Sequence, residues 1–311
     1  MTIIRSQQLI QYFFMKKLGI LIGALAVMSP MFAYAHSDSA EQTTQPQQAQ
    51  PSQDDQFQVS GWIGAVSAYV SRGGTKSPEN DDTVIQGYLN GSYKGLYAAY
   101  WVSKLGYSFA ETQEKQNIDN NNALTALQKA EAKSNVSRSA ADFYEHDFFV
   151  GYANKYNDLS YDLQVATYLY PGSKNSTGVE AGVFLNHPVN KDIGNAVSLS
   201  VQSYLNDTIY MNQGDTYVEL GYEHPLPKGF TANLSSGFSW FQDNGKYEGG
   251  KNGGLINTTE DFVFRHATVQ LTHDLFNNPQ ATGWLKYIVG GENRSGENQK
   301  NMVVAGVRYA F

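Results

Sequence analysis

The sequence contains no cysteine, and charged residues make up only 16% of its 311 positions. The first absence excludes a disulfide framework, thiolate catalysis and thiolate metal sites. The second falls well below the roughly 25% usual for soluble domains. Basic residues are also short: 22 Lys and Arg stand against 29 Asp and Glu, a net charge of −7, which disfavours a phosphate-backbone partner. No nucleic-acid role is expected. A mean hydropathy of −0.42 argues against a bundle of membrane helices, each needing about 20 mostly apolar residues. What is plentiful is glycine (29) and tyrosine (21), a balance suited to strands that face something other than water.

The N-terminal region reads as an address. Lys16 and Lys17 precede an apolar run from Leu18 to Met28, and Ala33-Tyr34-Ala35 follows as an A-x-A cleavage site, the three parts of a secretory signal peptide. Cleavage is expected after Ala35, and Met15 fits the start of such a leader better than Met1. The competing reading, a membrane anchor, meets an apolar run too short to span. Removing residues 1–35 takes away Arg5, Lys16 and Lys17 and no acid, so the exported chain is more acidic still. Residues 36–56 hold seven glutamines, two prolines and no aromatic residue; with nothing to bury, they are expected to form a disordered linker.

From Phe57 to Phe311 the apolar period is two. Leu159, Tyr161, Leu163, Val165 and Thr167 alternate with Ser160, Asp162, Gln164, Ala166 and Tyr168, and Val197, Leu199 and Val201 alternate with Ser198, Ser200 and Gln202. The pattern predicts about twelve strands, near 57–71, 82–93, 96–107, 142–154, 159–170, 177–186, 195–205, 215–223, 229–241, 259–272, 281–290 and 301–311, of a length that crosses a bilayer when tilted. Alternate connections are compact turns, among them Lys94-Gly95, His187 to Asn195, His224 to Lys228 and His273 to Gln280. The others are long and polar, the longest running from Ser108 to Ala141. That segregation predicts an all-β, antiparallel, up-and-down transmembrane barrel in the outer membrane, with both termini periplasmic. The main alternative is a secreted soluble sandwich. The final strand ends in an aromatic residue, Phe311, a feature by which barrel assembly machinery recognises its clients. Lipid and lipopolysaccharide are the expected surroundings.

Tyr97, Tyr100, Trp101, Tyr107, Tyr152, Tyr156, Tyr217, Tyr222, Phe238, Trp240, Trp284 and Tyr309 cluster toward strand ends, as interfacial girdles do, although aromatic residues favour strands anyway. Residues 123–130 read as a short helix that either folds into the barrel mouth or caps the loop from outside.

If apolar side chains face lipid, the alternate positions face the lumen. These are Glu145, Asp147, Asp162, Glu180 and Glu219 on one wall, Lys286 and Arg308 near the closing seam, and Arg265 where Phe262 and Phe264 fall out of phase with Val269 and Leu271, as a bulge would cause. Tyr168 and Tyr170 narrow the interior, while Gly182, Gly237, Gly306 and several serines leave room. Such a lumen would orient a dipolar solute, or its charges pair across the lumen and plug it. A barrel of this size lies between filled eight-stranded and open sixteen-stranded types.

No enzyme is expected. The histidines His36, His146, His187, His224, His266 and His273 show no metal-ligand spacing, and no nucleophile elbow, phosphate loop or dinucleotide fingerprint is present. No cofactor is called for.

Ser67-Ala68-Tyr69-Val70-Ser71-Arg72-Gly73-Gly74-Thr75 resembles the S-D-Y-x-x-R-G-x-[ST] opening of the TorF-type porin family of proteobacterial outer-membrane proteins. Gln86-Gly87-Tyr88, Gly95-Leu96-Tyr97, Trp101-Val102-Ser103 and Tyr168-Leu169-Tyr170-Pro171-Gly172 continue the resemblance in order. It implies a porin without a defined substrate; the lumen residues themselves suggest passive diffusion of ions or a small polar metabolite, the alternative being a plugged barrel whose extracellular loops bind a partner. Ala68 stands where the family usually has an acid, which removes a possible partner for Arg72, and the Ser108 to Ala141 insertion is a second departure. Arg72 itself reads as part of a glycine-dependent turn or as a base at the extracellular mouth.

Overall fold

The computed structural model describes residues 56–75 and 80–311. The expected leader and all but the last residue of the expected linker lie outside the described residues. Twelve strands form one closed barrel: β1 (Gln58–Val66), β2 (Val84–Tyr93), β3 (Leu96–Lys104), β4 (Tyr144–Tyr156), β5 (Leu159–Leu169), β6 (Gly178–Asn190), β7 (Asn195–Tyr204), β8 (Thr216–Leu226), β9 (Phe230–Trp240), β10 (Phe262–Leu275), β11 (Asn278–Gly290) and β12 (Met302–Ala310). Each is hydrogen-bonded antiparallel to the next, and β12 returns to β1 through Trp62↔Ala310 to Val66↔Gly306. Closure leaves no unpaired sheet edge, the condition for backbone to lie in a medium without water.

The outward face explains what that medium is. Ile63, Ile85, Leu89, Val150, Leu220, Val269, Leu285 and Val303 are all exposed, Ile85 by 64%. They come from strands all around the barrel and form an apolar belt far larger than a soluble monomer leaves bare. The belt is the surface of a membrane barrel.

One end carries tight hairpins and the other the long connections. Lys94 and Gly95, and Phe276 and Asn277, have positive φ at both central positions, the mirror-image turn whose twist matches that of antiparallel strands. The hairpins are tighter than the sequence suggests. His187, His224 and His273, expected in turns, lie on β6, β8 and β10. For His187 and His224 the cause is proline: Pro188 and Pro225 signal turns in the sequence, but here they occupy strand ends, where a missing N–H is tolerated, and the ladder shifts register beside Pro188.

At the other end, β1 stops at Val66, whereas alternation extended it to residue 71. Ser67 still bonds Ala305 through its backbone N–H (2.8 Å), and the chain then turns inward. Tyr69, Val70 and Thr75 are buried. The longest connection behaves differently. Its helices α1 (Phe109–Asp119) and α2 (Ala126–Ser134) begin at Ser108 and Thr125, whose hydroxyls accept the N–H groups of Glu111 and Gln128. Only Phe109 and Ala110 of the two helices are buried, and Leu127 is 79% exposed. The helix expected at 123–130 is therefore α2, and it lies outside the barrel mouth.

The girdle expectation needs partial correction. Tyr156, Trp240 and Tyr309 are exposed, but Tyr97, Trp101 and Tyr217 are buried. Trp284 alternates inward with buried Thr282 and Lys286. Tyr107 packs among the aromatic rings at the long-loop end.

Candidate functional site

Alternation carries the acidic residues of β4 to β8 to the inside. Glu145, Asp147 and Phe149 share the inner face of β4, Asp162 lies on that of β5, Glu180 on that of β6, and Glu219 on that of β8. His146, between two acids in sequence, points to the other face, where its Nδ1 lies 2.6 Å from the hydroxyl of Tyr100. Lys286 is buried on β11, and Arg308 is half-buried at an inward position of β12. Arg265 sits where the β9–β10 ladder slips between Phe264 and His266, the bulge the sequence anticipates. Its Nε donates to the carbonyl of Arg72 (3.2 Å) and its Nη1 to that of Glu292 (3.1 Å).

These groups are joined by hydrogen bonds. Glu145 accepts from Tyr69 and Tyr170, each at 2.7 Å. Asp162 accepts from Tyr97 (2.9 and 3.0 Å). Glu219 accepts from Tyr217 (2.8 Å) and lies 3.4 Å from His266 Nε2. His266 is a lumen residue that sequence reasoning passed over. The bulge puts Arg265 and His266 in succession inside the barrel, so following the phase slip one residue further would have found it.

Arg72 occupies the centre. Its backbone is left-handed (φ 48°), and Gly73 beside it has φ 73° with the ring and Cβ of His266 packed against its bare Cα. The side chain crosses the interior: Nη2 donates to Glu180 Oε2 (2.6 Å) and Gln202 Oε1 (2.9 Å). The guanidinium lies 5.1 Å from the ring centre of Tyr217 and 6.0 Å from that of Tyr204. Both sequence readings are thereby amended. The turn is real, yet it delivers the side chain inward, and the partner missing at Ala68 is supplied by Glu180, more than a hundred residues away. The segment is pinned at both ends. Ser67 bonds the β12 backbone, Thr75 bonds the Gln299 side chain and the Lys300 carbonyl (2.9 and 2.7 Å), and the Asn80 amide donates to the carbonyls of Tyr69 and Gly74.

Around this waist the two sides of the interior differ. Trp62, Tyr88, Trp101, Phe149, Ile288 and Val304 belong to one buried cluster that fills the side formed by β1 to β5, β11 and β12. On β7 to β9 the inward residues Ser198, Gly221, Asn233 and Ser235 are small or polar and remain partly exposed. The glycines expected to widen the lumen instead seat neighbouring side chains. A Cβ on Gly182 would meet the ring of Phe184 at 2.7 Å, and one on Gly306 would meet that of Trp284 at 2.2 Å.

On the long-loop side of the waist lies a cavity of about 440 Å³, lined by Tyr69, Arg72, Glu145, Asp147, Tyr168, Tyr170 and Tyr210 among others. A belt of loop contacts surrounds it. Arg294 donates to both carboxylate oxygens of Asp215 (2.9 and 3.2 Å), to the carbonyl of Gln242 (3.2 Å) and to the hydroxyl of Thr258 (2.9 Å). Asn212 and Thr258 both donate to Glu248. Burial alone would raise the Glu248 carboxyl, but these hydrogen bonds and the charge of Arg294 hold it below the usual carboxylate range. Among the described residues no group of three or more acidic or histidine side chains is arranged to hold a metal ion.

Comparison with known proteins adds the following. No curated protein sequence matches the chain. Among solved structures it is similar to the KdgM porin (8% identity, 81% of this chain and 99% of that one, TM-score 0.46). It is also similar to the NanC porin (10% identity, 82% and 99%, TM-score 0.46) and to the COG4313 outer membrane channel from Pseudomonas putida F1 (11% identity, 81% and 94%, TM-score 0.41). The family model for bacterial proteins of unknown function designated Gcw_chp matches residues 49–248, and the chain belongs to that family.

Proposed function

We propose that this protein is an outer-membrane channel through which ions or a small polar metabolite diffuse passively, with the waist at Arg72 as its constriction. The observation that carries the reading is the asymmetry of the interior. An aromatic and aliphatic cluster fills one side, while the facing strands present small polar residues, of which Ser198, Gly221, Asn233 and Ser235 remain partly exposed, and a cavity lies on the long-loop side of the waist. A barrel meant only as a solid scaffold gains nothing from keeping one wall polar and unfilled, since buried polar groups must then be satisfied individually. The TorF-type resemblance of Ser67 to Thr75 points the same way. In this reading the long loops are extracellular and both termini periplasmic. Glu145, Asp147, Arg265, Tyr168 and Tyr170 line the cavity at the long-loop end of the route, Glu180 and Glu219 stand on the inner faces of β6 and β8, Asp162, Lys286 and Arg308 act on the route through their charge from the packed side, and the last strand is read by the assembly machinery.

Single-channel recording of the refolded protein under a salt gradient tests this. Discrete steps are expected, larger in Arg72→Ala, and a double substitution of Lys286 and Arg308 by Met is expected to move the reversal potential toward cation selectivity. Silence from the wild type and from Arg72→Ala, with folding confirmed by heat-modifiable gel mobility, would replace the channel with a plugged barrel that acts through its loops and cavity.

A further inference from the structure

The cavity beside the waist has an acceptor that the protein itself leaves unanswered. Glu145 and Asp147 stand on the same face of β4, Glu180 faces them from β6, and the three carboxylates and Arg72 are close enough for their charges to act on one another. Arg72 gives its ion pair to Oε2 of Glu180, whose Oε1 also lacks a donor but does not line the cavity, and both oxygens of Glu145 are met by tyrosine hydroxyls. Asp147 is only 3% exposed and lines the cavity, yet its Oδ1 has no hydrogen-bond partner. A buried carboxylate oxygen without a donor is costly and calls for one from outside the chain.

The neighbouring cations are committed elsewhere. Arg294 directs its donors to Asp215, Gln242 and Thr258, and Arg265 directs Nε and Nη1 to two backbone carbonyls. Much of the remaining wall is aromatic, with polar and aliphatic loop residues completing it. Phe109 packs on Tyr170 with ring centres 4.3 Å apart and on Tyr210 at 5.0 Å. The rings of Tyr204 and Tyr217 already carry one cation, the guanidinium of Arg72. A carboxylate acceptor at the edge of electron-rich ring faces suits an organic ammonium, which offers N–H donors and apolar carbon together. A bare metal ion would find no ligand set among the described residues.

We infer that the cavity binds the ammonium group of a small organic amine, with an N–H donated to Oδ1 of Asp147 and the carbon skeleton laid against Phe109 and Tyr170. The inference names the class of solute for the proposed channel and rests on that reading for the amine's route, but binding itself requires no passage through the waist.

Calorimetric titration of the full chain in detergent micelles tests it, using benzylammonium chloride, its neutral counterpart benzyl alcohol, and sodium chloride. Benzylammonium is expected to bind about tenfold or more tightly than benzyl alcohol, the effect of one charge-assisted hydrogen bond. Asp147→Asn is expected to remove that preference. Equal binding of amine and alcohol, no binding of the amine, an unchanged preference in Asp147→Asn, or displacement of the amine by an equal concentration of sodium would each overturn the inference. If Asp147→Asn does not fold, the amine and alcohol on the wild type decide alone. Amine binding in a protein that never conducts would retain this site and remove the channel; conduction without amine binding would do the reverse.

Discussion

Two connections leave the same end of the barrel and meet opposite fates. The first, between β1 and β2, is the shorter, and its described residues 67–75 go inside, where Arg72 reaches the far wall. The second, residues 105–143, is the longest; it is buried at its start, at Leu105 and from Ser108 to Ala110, and the rest of its two helices stays outside. Length therefore does not decide which loop narrows a barrel. The first connection carries buried Tyr69 and Val70 and a buried ion pair, and the barrel wall offers each a partner. The second presents helices whose other side chains have nothing to bury, and they are held by capping and by ion pairs such as Lys133 to Asp119 (2.8 Å), which at the surface contribute little.

The strongest way to break this contrast is to remove the pin of the inner connection. Arg72→Met leaves Glu180 buried without its cation and is expected to cost about 3–5 kcal/mol in urea unfolding. The double variant Arg72→Met with Glu180→Met should recover most of that loss. Recovery of stability with no increase in single-channel conductance would show that the pair holds the fold and that the backbone alone narrows the lumen. Gly73→Ala comes next. It places a Cβ at positive φ and 2.6 Å from His266, at an expected cost of about 1–3 kcal/mol by the same measurement.

The loop belt sharpens the comparison through pH. Because the Glu248 carboxyl is held below its ordinary range, the stability it contributes is complete above that range and is lost as pH falls through the lowered folded value. Glu248→Gln is expected to cost about 1–2 kcal/mol at neutral pH and to flatten the acid limb of a melting profile. A parallel shift of the whole profile would contradict it. The smallest effect belongs to the outer connection: Leu127→Ser on α2 should change stability by no more than about 0.5 kcal/mol.

The walls of the barrel were legible because a period of two records which face each residue takes. It located the inward positions of β4 to β8 and the slip at Arg265. It failed where the backbone leaves the sheet without breaking the alternation. Ser67-Ala68-Tyr69-Val70-Ser71 reads as more strand, and only the Arg72-Gly73 turn hints that the segment does something else. Prolines misled in the other direction, placing His187 and His224 in turns. The pairing of Arg72 with Glu180 was invisible, since alternation gives the face of a residue but not which side chain meets it across a closed cylinder.

The seam has a consequence for biogenesis. Strand β1 meets β12 through contacts that link the two ends of the barrel sequence, and Ser67, Thr75 and Asn80 fasten the inner connection beside that junction. The contacts of Ser67 with Ala305 and of Thr75 with Gln299 and Lys300 join segments far apart in sequence, so they carry a large loop-closure cost. A C-terminally truncated polypeptide would lack these fastenings and would hold the waist only through its contacts to the earlier strands.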